Sequence, residues 1–260
     1  MTHPGDVIPR TDEWHRFRHL FTADVNATAL GLLDAGIDVL VNEAHSSMRN
    51  LVLEELDDRV RMLTGRHKRL GMMEGIDGDV DGVVFLGYHA AAGERGILAH
   101  TYLANSITQV RLDGAIASEG RLNAALAAEY GVPVIMITGD DRTCDDAKDY
   151  APDAERVAVK EYVSRYAGVC LSPARTQTLQ REAASRAAAL VGSNEPVTTA
   201  HRIEVEFDAV QLADATAIIP TVEQLGPRTI GYDAPTMTEA MTTFKIVCAI
   251  ASGAVEQAYG

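Results

Sequence analysis

The chain is short of basic residues, aromatics, cysteine and long apolar runs, and each shortage closes off a class of protein. Lysine and arginine number 23 against 37 aspartates and glutamates, leaving a net charge of -14. That field opposes phosphate backbones and anionic lipid surfaces, so neither nucleic acid nor membrane is expected as a partner. No run approaches the roughly 18 apolar residues of a membrane span, and the start lacks the basic-then-apolar order of a signal segment. A cytoplasmic protein is therefore expected. Three cysteines, Cys144, Cys170 and Cys248, are widely spaced and odd in number, which excludes a disulfide framework or a zinc ribbon and predicts small buried hydrophobes. Internal repeats and low-complexity tracts are also missing. What is present is 260 residues with 47% hydrophobic content, enough to bury one large core or two modest ones.

The stretch from Asp81 to His100 organises the rest. Its run Val83-Val84-Phe85-Leu86 is short, apolar and partly β-branched, which predicts a central parallel strand covered on both faces. Gly87 and Tyr88 end the run and set His89 just past its carboxyl end, the edge where open α/β sheets build their sites. His100 follows after a small-residue, Gly-containing loop. Two imidazoles at one sheet edge can act as metal ligands, or as one ligand and one acid/base. The plain alternative is two half-exposed histidines in a surface loop.

Residues 1 to 14 read as a loop, and a helix runs from about Trp14 to Asp34 with Gly36 as its stop. Ile37 to Val41 is then a strand ending in Asn42-Glu43-Ala44-His45, a further histidine beyond a strand's carboxyl end. A helix feeding a parallel strand normally has a strand before it, and none is present. Leu51 to Leu63 predicts a short helix or turn with a solvated charged face. Ile107 to Leu112 predicts a hairpin arm turning at Asp113-Gly114. Glu119-Gly120 opens an Ala-rich helix stopped by Gly131, where the carboxylate could simply favour the helix dipole. Val132 to Thr138 is another buried strand, ending in Gly139-Asp140-Asp141. In the last third, Val157 to Lys160 is a brief strand, Ser172-Pro173 starts a helix to about Leu190, Arg202 to Phe207 alternates as a half-exposed antiparallel strand, and Thr236 to Glu239 caps a final helix. The fold class is thus α/β, a mostly parallel sheet flanked by helices, with an α+β C-terminal portion. The expected division is a metal-site domain over 1–170 and a C-terminal portion over 171–260 suited to oligomerisation.

An ordered series of segments carries a family resemblance: Val41-Asn42-Glu43-Ala44-His45-Ser46, Met72-Met73-Glu74-Gly75, Phe85-Leu86-Gly87-Tyr88-His89-Ala90, Ile97-Leu98-Ala99-His100-Thr101, Ser118-Glu119-Gly120, Thr138-Gly139-Asp140-Asp141 and Cys170-Leu171-Ser172-Pro173-Ala174. In this order they resemble the D-aminopeptidase (DppA-like) family over essentially the whole chain. The resemblance implies a dinuclear zinc peptidase that releases N-terminal D-amino acids from short peptides, and a homo-oligomer whose known form in the family is a ring-built decamer. On the matching positions it makes His45, His89 and Glu119 zinc ligands and His100 the catalytic histidine. Imidazole nitrogens and a carboxylate are the set a catalytic zinc prefers, and two ions about 4 Å apart can share and activate a hydroxide. His100 is then placed to move a proton or stabilise an oxyanion. Glu74, Asp140 and Asp141 are substrate-binding candidates, with solvated loop acids as their plain reading.

One departure from the family pattern is large. Members open with a strand ending in Asp-x-Glu-Gly, both of whose carboxylates are zinc ligands, and this sequence has no such motif. The expectation is that Met1 is a displaced start, such as an internal valine codon read as methionine. His3, Asp6 and Asp12 are poor replacements, because a loop does not hold ligands at fixed geometry. Three functions stay open: a zinc-dependent D-aminopeptidase, a non-catalytic or single-metal relative that keeps the fold, and a cysteine-dependent amidohydrolase using Cys144 or Cys170.

Overall fold

A computed structural model describes residues 1–256. The chain opens with a tight turn, Pro4–Val7, closed on itself by His3 Nδ1 accepting from the Gly5 amide and Asp6 accepting from the His3 amide. Helix α1 (Asp12–Leu33) follows under a Thr11 cap, and Gly36, at φ 85°, turns the chain out of it. The predicted strand forms three residues late as β1 (Leu40–Asn42), and the charged segment beyond it holds the expected short helical turn at Leu53–Glu55 but also a strand that was not expected, β2 (Arg61–Leu63). The organising run is β3 (Val83–Phe85). The hairpin forms as read, with β4 (Ile107–Leu112) and β5 (Ala115–Ile116) joined by Asp113 and Gly114, both at positive φ, the twist that a two-residue hairpin needs. Helix α2 (Glu119–Glu129) is capped by Ser118 and stopped at Gly131. Next come β6 (Val134–Asp140), α3 (Asp141–Tyr150), β7 (Glu155–Ser164) and β8 (Ala167–Cys170). The last part holds α4 (Pro173–Ala187), β9 (His201–Phe207), α5 (Val210–Thr216), β10 (Glu223–Gly226), β11 (Thr229–Ala234) and α6 (Met237–Gly253).

The architecture is mixed α/β, with the strands divided among three sheets. One is the parallel pair β1-β2, one is five-stranded in the order β10-β11-β9-β4-β5, and one is four-stranded in the order β3-β6-β7-β8. The third carries the parallel character, β3 with β6 and β6 with β7, and ends in an antiparallel β7-β8 hairpin. Strand β3 is therefore at a sheet edge and not central. Its Val83 and Val84 are only half-buried and Phe85 alone is fully inside, a pattern that four apolar letters could not separate from a covered strand. The brief strand expected at Val157 to Lys160 is ten residues long, because β8 folds back and pairs with it from Lys160 to Ser164.

Helices cover the sheets through small residues. Gly31 of α1 lies so close to α4 that a Cβ there would sit 2.4 Å from the Arg181 carbonyl oxygen. The main core joins Phe85, Leu122 and Ile137 to Ile203, Phe207, Tyr232 and Phe244. The division expected at residue 170 is crossed outright: β4 from the first part pairs antiparallel with β9 from the last, Val110 opposite Val205, so both parts share one sheet and one core. The described helices include none long and apolar enough to cross a membrane.

Candidate metal centre

Three functional side chains come together at the carboxyl end of β3, each for a local reason. Gly87 turns at φ 75°, and the Gly87 and Tyr88 amides donate to the hydroxyl and carbonyl of Thr138. The chain thus stays beside β6 for two residues past the strand and delivers His89. The following loop doubles back until the His100 amide reaches the Ala90 carbonyl at 3.3 Å, under the buried Thr101, whose hydroxyl accepts from Ala92 and donates to Ala117. The two imidazoles therefore stack, with ring centroids 4.0 Å apart and planes 17° from parallel. Glu119 enters from the first turn of α2, and the Tyr102 amide donates to its Oε1 at 2.8 Å.

The geometry suits a divalent cation. His89 Nε2 is 3.5 Å from Glu119 Oε2 and His100 Nε2 is 3.9 Å from Oε1, and one ligand atom from each residue lies within 4.8 Å of the others. Donors bound at about 2.0–2.2 Å around one zinc ion are separated by distances of this order. Each Nδ1 faces a carbonyl, His89 that of Ala90 and His100 that of Leu98. A carbonyl only accepts, so Nδ1 carries the proton and Nε2 keeps its lone pair for a metal. Burial acts against charge on Glu119, yet His89, His100 and the Tyr102 amide hold its carboxyl down at about 2. Burial also acts against charge on His89, and Glu119 outweighs it and raises that imidazole. In His100 burial wins and lowers the pKa, helped by His89.

His45 lies beside this group and outside the trio. It is close enough to feel Glu119 and His89, and its burial favours the neutral ring. The loop that holds it takes left-handed turns at Ser46 and Met48, both non-glycine. Asn50 pins it, donating to the His45 carbonyl and accepting from the Trp14 indole.

The other candidates are engaged elsewhere. Asp140 caps α3 through Oδ1, with the Thr143 amide and hydroxyl, and takes the Ile97 amide on Oδ2. Asp141 accepts from the Tyr162 amide and Glu74 from the Leu70 amide. His3 and Asp6 serve their own turn, and Asp12 begins α1. Cys144 and Cys248 are buried as expected, whereas Cys170 is exposed. Burial pushes the Cys144 thiol up to about 12 and raises Cys248 as well, which suits hydrophobes and opposes a nucleophile. Sequence reasoning missed Glu43 and Lys68, both buried beneath the His45 loop. Lys68 stands in the run Arg66-His67-Lys68-Arg69, where nothing marks which cation turns inward.

Two imidazoles and a carboxylate gathered at a sheet edge of an α/β protein form a donor set that could hold a catalytic metal. Comparison with known proteins narrows this. The sequence model of the peptidase M55 family, described as D-aminopeptidase, matches residues 1–246, and the chain belongs to that family and is a peptidase. A D-aminopeptidase of Bacillus subtilis (strain 168) is 32% identical over 242 residues, covering 92% of this chain and 88% of the relative. The solved structure of the Zn-dependent D-aminopeptidase DppA from Bacillus subtilis, a self-compartmentalizing protease, superposes with a TM-score of 0.91 at 30% identity, covering 97% of this chain and 93% of that one.

Proposed function

We propose that this chain is a zinc-dependent aminopeptidase acting on short peptides with N-terminal D-amino acids. The observation that carries the reading is the convergence of His89, His100 and Glu119 within 4.8 Å in a chain of this family. His89, Glu119 and His45 would hold the metal. Bound zinc would polarise the scissile carbonyl and supply hydroxide at neutral pH. His100, kept neutral by burial and by His89, would accept a proton at Nε2 and pass it to the leaving amine. Its Nδ1–H, donated to the Leu98 carbonyl at 2.7 Å, fixes the ring for that exchange. D-specificity and zinc are drawn from the names of the relatives. Asp140, Asp141 and Glu74, the substrate-binding candidates, would act only indirectly, since backbone amides and a cap hold their carboxylates. The self-compartmentalizing relative supports a homo-oligomer, a decamer in the family's known form, and the exposed Ile218, Leu225 and Ile246 of the C-terminal portion would suit its interfaces.

One observation favours a second reading. Among the described residues this trio is the one group of three His, Cys, Asp or Glu donors close enough to share an ion, which fits a single-metal relative with His100 as the third ligand. Zinc per chain, measured by elemental analysis on purified protein, tests both. Two ions are expected for the dinuclear peptidase and one for the single-metal form. None after incubation with zinc would overturn the metal reading altogether.

A further inference from the structure

The pair β1-β2 is only three residues long in each strand, parallel, and separate from the other two sheets. Such a pair has little intrinsic stability, yet its carboxyl end carries His45. Something must fix that end. The side chain of Lys68 reaches it from the following segment and donates to Asn42 Oδ1 at 2.5 Å, to the Glu43 carbonyl at 2.6 Å and to the Leu63 carbonyl at 3.4 Å. An ammonium has three protons, and these are three neutral acceptors arranged across the ends of both strands. Lys68 is 9% exposed. Among the described residues its nitrogen has no carboxylate within salt-bridge distance, and Glu43, whose carbonyl it meets, spends its carboxylate oxygens on the Leu51 amide and the Thr64 hydroxyl.

We propose that Lys68 is a positioning residue for His45, an internal cation that fixes the carboxyl ends of β1 and β2 so that the imidazole meets the metal at set geometry. The inference rests on His45 being a ligand, as proposed above. Two further observations give the ammonium this task. The His45 loop holds Ser46 and Met48 in left-handed conformations, at φ 47° and 53°, and strained turns persist only when their surroundings over-determine them. Asn50 and Trp14 fix the far side of the loop, and Lys68 fixes the near side through Asn42 and Glu43. Lys68 is itself held, since Lys245 of α6 donates to the Lys68 and Arg69 carbonyls at 2.6 and 2.7 Å.

The test compares Lys68→Met with His45→Ala and with the unaltered protein, each stripped of metal and titrated with zinc against a chelating dye, well below its melting temperature. Cobalt substitution adds an absorption spectrum that reports coordination. The unaltered protein should bind zinc, and His45→Ala should bind it less tightly. Lys68→Met should lose about 10- to 100-fold in zinc affinity, the usual cost of removing the support of a ligand, and its cobalt spectrum should move toward that of His45→Ala. Should Lys68→Met fail to fold, Lys245→Met loosens the same support from outside and should give a smaller loss in the same direction. Zinc affinity and cobalt spectrum unchanged in the Lys68 or Lys245 variant, with only the melting temperature lowered, would reduce Lys68 to a structural residue and overturn the proposal. If His45→Ala itself binds zinc normally, His45 is not a ligand, and this proposal falls with the dinuclear reading while the single-metal site of His89, His100 and Glu119 stands; if only the Lys68 arm is silent, the proposal falls alone.

Discussion

Glu119 serves three groups at once: it accepts the Tyr102 amide on one oxygen, faces His89 with the other and stands within 3.9 Å of His100. Its charge is therefore the electrostatic centre of the cluster. Replacing it by glutamine keeps the shape and removes the charge that raises His89. In the metal-free protein, NMR titration should find His89 above the ordinary value of 6.5 and His100 below it. In Glu119→Gln, the pKa of His89 should fall, since burial and Lys160 are then opposed only by the hydrogen bond to the Ala90 carbonyl. The sign follows from linkage: a raised histidine stabilises the fold below its unfolded pKa and loses that contribution as pH rises through its folded pKa. The same variant should lose at least tenfold in zinc affinity. An unmoved His89 would refute this account of the site. At this scale the sequence placed His45 and His89 just past strand ends, while Glu119 was singled out as a ligand only by the family resemblance, its place at a helix start reading equally as a dipole contact. The Ile97 contact of Asp140 and the burial of Lys68 were not legible, since both depend on segments far away in sequence, Ile97 for one and Asn42 with Lys245 for the other.

Among the elements, those with a start, stop or turn signal were readable: α2 from Glu119-Gly120 and Gly131, α4 from Ser172 and Pro173, α6 from Thr236, and the β4-β5 hairpin from Asp113-Gly114. Local hydrogen bonds decide such features, and local sequence encodes them. The edge position of β3 and the existence of β2 are settled by pairing with strands elsewhere in the sequence and carry no local mark. Helix α3 was missed because its sequence, Asp141 to Tyr150, is almost all polar, with an apolar side reduced to Cys144 and Ala147. The α1–α4 contact makes a sharp prediction. Alanine normally improves a helix over glycine by about 1 kcal/mol, but a Cβ at Gly31 would lie 2.4 Å from a backbone oxygen and 2.8 Å from the Ala184 Cβ. Backbone cannot rotate aside, so Gly31→Ala should destabilise by about 1–3 kcal/mol and lower the melting temperature in a calorimetric scan. A melting temperature equal to or above that of the unaltered protein would show that the two helices are not packed this closely.

For the molecule as a whole, sequence reading reached the α/β class and drew a boundary at 170 that the fold does not respect. The change in texture it noticed is real, because the last third is largely antiparallel, yet β9 inserts between β4 and β11 and unites both parts. A fragment of residues 1–170 would expose β4 along one edge and lose Phe207, Tyr232 and Phe244 from the core. It should lack cooperative thermal unfolding and show little amide-exchange protection. A cooperative melt would mean that the first part is an independent domain. The route of the chain also sets a timetable. Lys245 and β9 leave the ribosome long after His45, His89, His100 and Glu119, and they complete the sheet and the support beneath the site. A half-made chain thus carries its reactive side chains without the frame that aims them. The site would be armed only when synthesis of the chain is nearly over.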